Sequence, residues 1–206
     1  MTEKETVVVS FDIEATGTSP ANGSMIMYGM TIVKENIYGH LAHMYKSDKW
    51  YIEKKAWYIK EYNGREERCM NEFWAKYPAN LEHITKMAQN PEIVAKEMSD
   101  YFKQLGEKYN YYFIADPASF DWSWFIDFYD RFGSSDKTYI GYKSICMDGM
   151  EKALNFMGIK HNTAKEAEDF GLKMTHFADD DSEFQAYQYL MLIRIMKSKG
   201  KLLNSI

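Results

Sequence analysis

Apolar and polar positions alternate with period two near the start of the chain. Val7, Val9, Phe11 and Ile13 fall on one face, and Asp12 and Glu14 share the other. This pattern predicts a strand over residues 6–14. Residues 25–33 and 37–45 read as two further strands, set off by Asn22-Gly23 and by a short Lys34-Glu35-Asn36 turn, so the chain opens as a meander. The period then becomes helical. From Asn90-Pro91 to about Tyr109, Ile93, Met98 and Phe102 are among the apolar positions of a helix that returns the chain to a strand at 111–115. A turn at Pro117 leads into an aromatic helix beginning near Ser119, with Ser119 or Asp116 as its cap. Tyr139-Ile140-Gly141-Tyr142 is a candidate fifth strand, and 147–157 and 181–198 add helices. The last of these opens at Asp179-Asp180-Asp181 and carries an apolar stripe of Phe184, Tyr187, Leu190 and Met191.

Three places on this framework carry chemistry. Asp12 and Glu14 sit side by side on one strand face; inside a core they repel and lose hydration, so a cation is expected to neutralise them. Hard oxygen ligands favour magnesium or manganese. The alternative is a strand end emerging into water before the Thr16-Gly17 and Ser19-Pro20 turn signals. Asp121 shares its helical stripe with Phe125, Phe128 and Phe132, at offsets of four, seven and eleven, which turns its carboxylate inward. An acid in a first turn also suits the helix dipole, so capping is the competing role. His176 and Asp181 lie at the start of the final helix, where an acidic cluster equally fits capping and a solvated turn. An EF-hand is excluded, because no glycine follows at the required place.

Taken in order, these residues resemble the DEDD exonuclease superfamily, in its histidine-bearing DEDDh branch with ribonuclease T, oligoribonuclease and polymerase proofreading subunits. The pattern F-D-x-E-x-T-G is met by Phe11, Asp12, Glu14, Thr16 and Gly17, the second-segment F-D by Phe120 and Asp121, and H-x-A-x-x-D by His176, Ala178 and Asp181. One departure is Asp116-Pro117, where many relatives carry His-Asn before the second-segment Asp, so contacts to the substrate strand are expected to differ there. His161 and Asp169 do not have the spacing of the last segment and are read as part of a solvated, Lys/Glu-rich loop.

The resemblance implies a ribonuclease-H-like α/β fold: a central mixed five-stranded sheet with its first three strands antiparallel and helices on both faces. It also implies two-metal hydrolysis of the terminal phosphodiester of a single strand, running 3′ to 5′ and releasing 5′-mononucleotides. Asp12, Glu14, Asp121 and Asp181 would hold two Mg2+ ions, for which Mn2+ could substitute, and His176 would be the base. Ala15, Thr16, Gly17 and Phe120 would lie against the terminal nucleotide. The expected partner is single-stranded nucleic acid with a free 3′ end, RNA being taken ahead of DNA. Several relatives are homodimers, an assembly that the chain's own pattern does not predict. The competing functions are a catalytically silent nucleic-acid-binding or protein-interaction module, and a proofreading or processing subunit of a larger complex.

Composition modifies this picture in three ways. A chain of 206 residues with 46% hydrophobic content and no Pro/Ser-rich linker is expected to form one domain over 1–206, with an aromatic and basic insertion at about 46–80. The start Met1-Thr2-Glu3-Lys4-Glu5 lacks a signal-peptide pattern and no apolar run reaches bilayer length, so a soluble intracellular protein, cytoplasmic by default and without membrane contact, is expected. Cys69 and Cys146 are too few for a disulfide framework or a zinc site. The net charge of −5 is unusual for a protein that handles nucleic acid, until the acidity of a metal site is counted. Residues 46–68 hold seven Lys/Arg against five Asp/Glu, interleaved with Trp50, Tyr51, Trp57, Tyr58 and Tyr62. This segment reads either as phosphate-contacting and base-stacking surface or as partly buried aromatic structure. Arg194, Lys197, Lys199 and Lys201 form a second basic patch, equally explained as a solvated helix end.

Overall fold

The computed structural model describes residues 4–41, 49–133, 138–141 and 143–203. Its strands are β1 (Thr6–Ala15), β2 (Met25–Lys34), β3 (Glu53–Tyr58), β4 (Asn110–Ala115) and β5 (Ser144–Cys146). They form one five-stranded sheet in the order β3-β2-β1-β4-β5. β1 pairs antiparallel with β2 and parallel with β4; β2 pairs antiparallel with β3, and β4 parallel with β5. The helices are α1 (Glu67–Glu72), α2 (Pro78–Met87), α3 (Pro91–Lys108), α4 (Ala118–Phe132), α5 (Met147–Phe156), α6 (Thr163–Phe170) and α7 (Ala178–Leu203). This is the mixed sheet of a ribonuclease-H-like fold, with helices on both faces.

The period-two pattern of β1 sends its apolar residues into two cores, one on each face of the sheet. Val7, Val9, Phe11 and Ile13 pack with Tyr28 and Met30 of β2, with Val94, Met98 and Phe102 of α3 and with Phe125 and Phe128 of α4. Val8, on the opposite face, belongs with Ile114, Leu154 of α5, Ala167 of α6 and the buried side of α7. The first core is strongly aromatic. Tyr28 and Phe125 lie 4.9 Å apart between ring centroids, and Phe11 is within 6.0 Å of Tyr28, Phe113, Trp122 and Phe125. Such stacked, tilted and edge-on pairs add to what each ring's burial contributes.

Several expectations are corrected. The third strand is not 37–45: Glu35–Gly39 is a 3-10 turn, and residues 42–45 of the expected strand lie outside the described ones. The meander is completed instead by β3, from within the aromatic and basic segment. Its alternation is masked because Lys54 and Lys55 both occupy it, as suits a strand at the sheet edge. Lys55 lies along the faces of Trp57 and Tyr101, with Nζ 4.9 and 5.3 Å from the ring centroids. The fifth strand is Ser144–Cys146; Thr138–Ile140 form a turn and Tyr142 lies outside the described residues. Neither Ser119 nor Asp116 caps α4, whose N-cap position is Pro117 without a side-chain cap bond. The stretch around His161 is no solvated loop, since α6 forms there, capped by Asn162 Oδ1 accepting from Lys165 N at 3.0 Å and buried through Thr163 and Ala167. Helices α1 and α2 were also unforeseen.

One contact sets the height of α7 over the sheet. Gly29 of β2 lies opposite Asp12, and a Cβ built on it would fall 2.0 Å from both Ala178 C and Asp179 N. The first turn of α7 therefore rests directly on backbone, which only glycine permits. Thr31 and Ser182 close the same interface with a 3.0 Å hydroxyl–hydroxyl hydrogen bond. Gly29→Ala is expected to lift this helix end and to cost about 1–3 kcal/mol, the range typical of overpacked sites. Urea unfolding would show a lower midpoint at unchanged slope; a midpoint equal to wild type would refute the contact.

Candidate active site

Three elements converge where β1 ends. Strand alternation places Asp12 and Glu14 on one face, as expected from the sequence, and α7 packs over that side of the sheet. β4 stays in register with β1 only as far as Ser10, opposite Ile114, so the two strands part before Asp12. The first turn of α4 follows β4, and Asp121 Oδ1 accepts the Ile13 N–H at 3.3 Å. From the other side, the first turn of α7 supplies Asp181, whose Oδ1 accepts from Thr175 N at 2.6 Å and whose Oδ2 accepts from His176 N at 3.1 Å. All four carboxylates line one cleft of about 340 Å3 together with His176. They are deeply buried, with residue exposures of 9% for Asp12, 5% for Glu14, and 2% each for Asp121 and Asp181.

Four buried acids in one cleft shift each other's titration. Burial pushes the Asp12 carboxyl well above its ordinary range, and Asp121, Glu14 and Asp181 reinforce the shift. Glu14 is raised likewise, by burial and then by Asp181 and Asp121. Asp121 is raised to about 7 and Asp181 to about 6, in each case chiefly by burial and opposed by the backbone N–H groups they accept. Among the described residues no Lys or Arg pairs with any of the four. Asp121 Oδ2 is buried without a hydrogen-bond partner. Such a set of hard oxygen donors, costly to ionise and with one atom left unsatisfied, fits divalent cations. Ligand atoms of Glu14, His176 and Asp181 also lie within 4.8 Å of one another.

His176 is held differently from the acids. Its backbone adopts a left-handed conformation, φ 58°, uncommon for a residue with a side chain. Asn80 Nδ2 of α2 donates to the carbonyls of Thr175 and His176 at 2.8 and 3.2 Å, fixing that turn. The imidazole lies against Tyr77, 4.2 Å between centroids, and edge-on to Phe73 at 5.0 Å. Burial lowers its pKa, favouring the neutral ring. Its Nδ1 stands 4.0 Å from Asp181 Oδ2.

The expected nucleotide-contacting residues divide. Ala15, Gly17 and Phe120 line the cleft. Thr16 is fully buried and does not line it: its hydroxyl donates to the Gly64 carbonyl at 2.8 Å and accepts from Ser24 N at 2.8 Å, and its backbone bonds Ser24 and Glu66. Asp116, at the departure from the expected pattern, faces the same cleft. Four contributors were not foreseen. Gln185, one turn beyond Asp181, donates from Nε2 to Asp12 Oδ1 at 2.8 Å; a spacing of four on a helix is the signal that could have found it. Asn80, Phe73 and Tyr77 arrive from distant sequence and carry no local signal.

No protein-family model matches the chain, and no curated protein matches it significantly. Solved structures do. The fold is that of the DEDDh-family 3′-exonucleases. The nuclease domain of 3′hExo, a DEDDh family member bound to rAMP, aligns with a TM-score of 0.56 at 13% identity over 94% of this chain and 93% of that one. A 3′-exonuclease that recognises the histone mRNA stem-loop aligns at 0.56 and 15%, over 94% and 84%. An E. coli exonuclease I–ssDNA complex aligns at 0.63 and 11%, covering 98% of this chain but 45% of its own. The chain thus spans less than half of exonuclease I. At these identities the likeness is one of fold.

The raised carboxyl pKa values fix the sign of a pH effect. Below about pH 3 the acids are protonated both folded and unfolded, and the site costs nothing extra. As pH rises towards 7, the unfolded chain releases protons first, because Asp121 and Asp181 titrate at about 7 and 6 in the fold. Metal-free stability therefore falls across this window. A divalent cation competes with those protons, so millimolar Mg2+ is expected to raise Tm more at pH 8 than at pH 5.5. Equal shifts at both pH values would count against the carboxylates as ligands.

Proposed function

We propose that this protein is a metal-dependent 3′-to-5′ exonuclease of the DEDDh type, hydrolysing the terminal phosphodiester of a single strand to release a 5′-mononucleotide. The observation that carries the reading is the convergence of Asp12, Glu14, Asp121 and Asp181 in one cleft beside His176. Chance capping roles would have left these residues on separate surfaces. In this reading Asp12, Glu14, Asp121 and Asp181 hold two Mg2+ ions, or Mn2+ in their place. Bound there, the ions supply Lewis-acid activation of water and neutralise charge developing on the phosphate.

The chain's own groups do the rest. Gln185 fixes the orientation of Asp12 through its Oδ1, leaving the other oxygen to face the cleft. The backbone amides of Thr175 and His176 orient Asp181 by donating to its two oxygens, one each. His176, neutral at physiological pH and one side open to water, accepts the proton of the attacking water and passes it to solvent. Phe73 and Tyr77 restrict its ring plane so that the base does not swing away. Ala15, Gly17 and Phe120 form the walls that receive the terminal nucleotide. RNA is placed ahead of DNA as substrate, supported by the two neighbours matched over most of their own chains, one bound to rAMP and one recognising a histone mRNA stem-loop.

The test uses 5′-labelled single-stranded RNA and DNA of one sequence, incubated with Mg2+, Mn2+ or chelator. A ladder shortening from the 3′ end, present with metal and absent with chelator, is expected, and faster on RNA. Asp12→Ala is expected to abolish turnover with the fold intact, and His176→Ala to lower kcat about 10²–10⁴-fold, the contribution of a general base, with little change in KM. Binding without cleavage under every metal condition would replace the enzyme with a silent nucleic-acid-binding module.

A further inference from the structure

The cleft has an electrostatic problem beyond metal binding. Its floor holds four carboxylates, the protein carries a net charge of −5, and the proposed substrate is a polyanion. The ions proposed for the floor would meet the scissile phosphate, while the strand entering the cleft brings further phosphates with no cation supplied by those four residues. Among the described residues lining the cleft, one carries a permanent positive charge: Arg68 of α1.

Arg68 is not loosely placed. The α1 region is tied to the end of β1 and the turn after it by five hydrogen bonds. Glu66 N donates to the Thr16 carbonyl at 2.8 Å, and Glu66 Oε2 accepts from both Thr18 N and Thr18 Oγ1 at 2.7 Å. The Ala15 carbonyl accepts from Trp74 Nε1 at 2.9 Å and from Cys69 Sγ at 3.7 Å. The strand end that carries Glu14 and the helix that carries Arg68 are thus one rigid unit. The guanidinium itself is only lightly engaged. Arg68 Nε donates to Glu72 Oε2 at 3.0 Å, between side chains 71% and 67% exposed. An exposed pair of this kind contributes little and exchanges readily for a stronger acceptor. Phosphate is such an acceptor, because it matches the planar fork of N–H donors.

We propose that Arg68 is a substrate-binding residue that grips a backbone phosphate of the nucleic-acid strand entering the cleft, exchanging Glu72 for it. The inference rests on the nuclease reading above and adds to it a cation that the family pattern of acids and histidine does not contain. The contact is to phosphate, so it serves RNA and DNA alike and carries no sequence information.

The test is the salt dependence of binding. Fluorescein-labelled ten-nucleotide RNA and DNA strands, protected by a 3′-terminal phosphorothioate, are titrated by anisotropy with Ca2+ in place of Mg2+ over a range of KCl. Each lost phosphate contact on a single strand flattens the plot of log affinity against log salt by about 0.7. Arg68→Ala is expected to flatten it by that amount and to raise Kd about fivefold on both strands. Arg68→Lys is expected to restore the slope, since it keeps the charge. Glu72→Gln is expected to tighten binding about twofold by releasing the arginine, and to lose most of that gain when combined with Arg68→Ala. Lys96→Ala, on α3 and outside the cleft, serves as a control with wild-type slope. Unchanged slope and Kd in Arg68→Ala, while the wild type binds, would overturn the inference and leave the nuclease reading standing. No binding of either strand by the wild type would overturn both.

Discussion

Four carboxylates buried in one cleft impose the constraint to which the surrounding structure answers. Each is desolvated and each repels its neighbours, so the metal-free chain must hold together an arrangement that favours coming apart or taking up protons. The compensation is distributed. Backbone amides of Ile13, Thr175 and His176 and the side-chain amide of Gln185 each donate to one of the acids. These donors exist because β1 and β4 part after Ser10 and because the chain turns sharply at His176. An uninterrupted ladder would have consumed the Ile13 N–H, and a regular helix start would have turned the Thr175 and His176 amides elsewhere.

The opposing face of the sheet supplies the stiffness. Phe11 and Ile13 alternate with the acids along β1, so the strand that carries the charges is also anchored among Tyr28, Phe102, Phe113 and Phe125. Moving Asp12 outward would unseat Phe11, a fully buried ring. On the near face, α7 is held down by Gly29, by the Thr31–Ser182 bond and by Lys54, which reaches from β3 to Asp180 at 2.8 Å and Glu183 at 2.9 Å. The three acids opening α7 thus have separate duties. Asp181 enters the cleft and Asp180 ties the helix to the sheet edge, while the Asp179 backbone lies against Gly29 and its carbonyl accepts from Ser182.

The sequence made the acids legible and much of their support illegible, for physical reasons. Asp12, Glu14 and Asp121 could be given a face because strand and helix periodicity decides which side a residue occupies and their apolar neighbours reveal it, whereas Asp181, one of three acids at a helix start, stood out only through the resemblance to the H-x-A-x-x-D pattern. β3 was misplaced because an edge strand tolerates lysine on both faces, which erases the alternation; the apolar run before it offered a stronger but misleading pattern. Trp57 and Trp50 of the same segment are buried, so its aromatic content proved to be structural at those positions. The cap of α6 at Asn162 was readable in principle, but the charged residues around it resembled a solvated loop. Thr16 fits the family pattern by identity, yet its polar groups are consumed in joining the β1–β2 turn to residues 64 and 66. A motif position fixes a residue type without fixing which of its atoms remains available.

The segment from β3 to α2 shows why the site is larger than its motif. It contributes none of the four buried carboxylates, yet its Phe73, Tyr77 and Asn80 hold His176 in a backbone conformation that a histidine does not adopt for its own sake. The strain is sustainable because Asn80 bonds two successive carbonyls of the turn and Asp181 accepts two successive amides from it, which leaves the loop little freedom to relax. The ring is thereby placed between an acid that is itself a candidate ligand and two aromatic faces that exclude water from one side. A histidine so confined is held neutral and oriented at once: burial favours the uncharged form, and the aromatic neighbours limit its rotation. Position and protonation state of the histidine therefore have a common origin, in a stretch of chain that local sequence pattern alone would have assigned to the periphery.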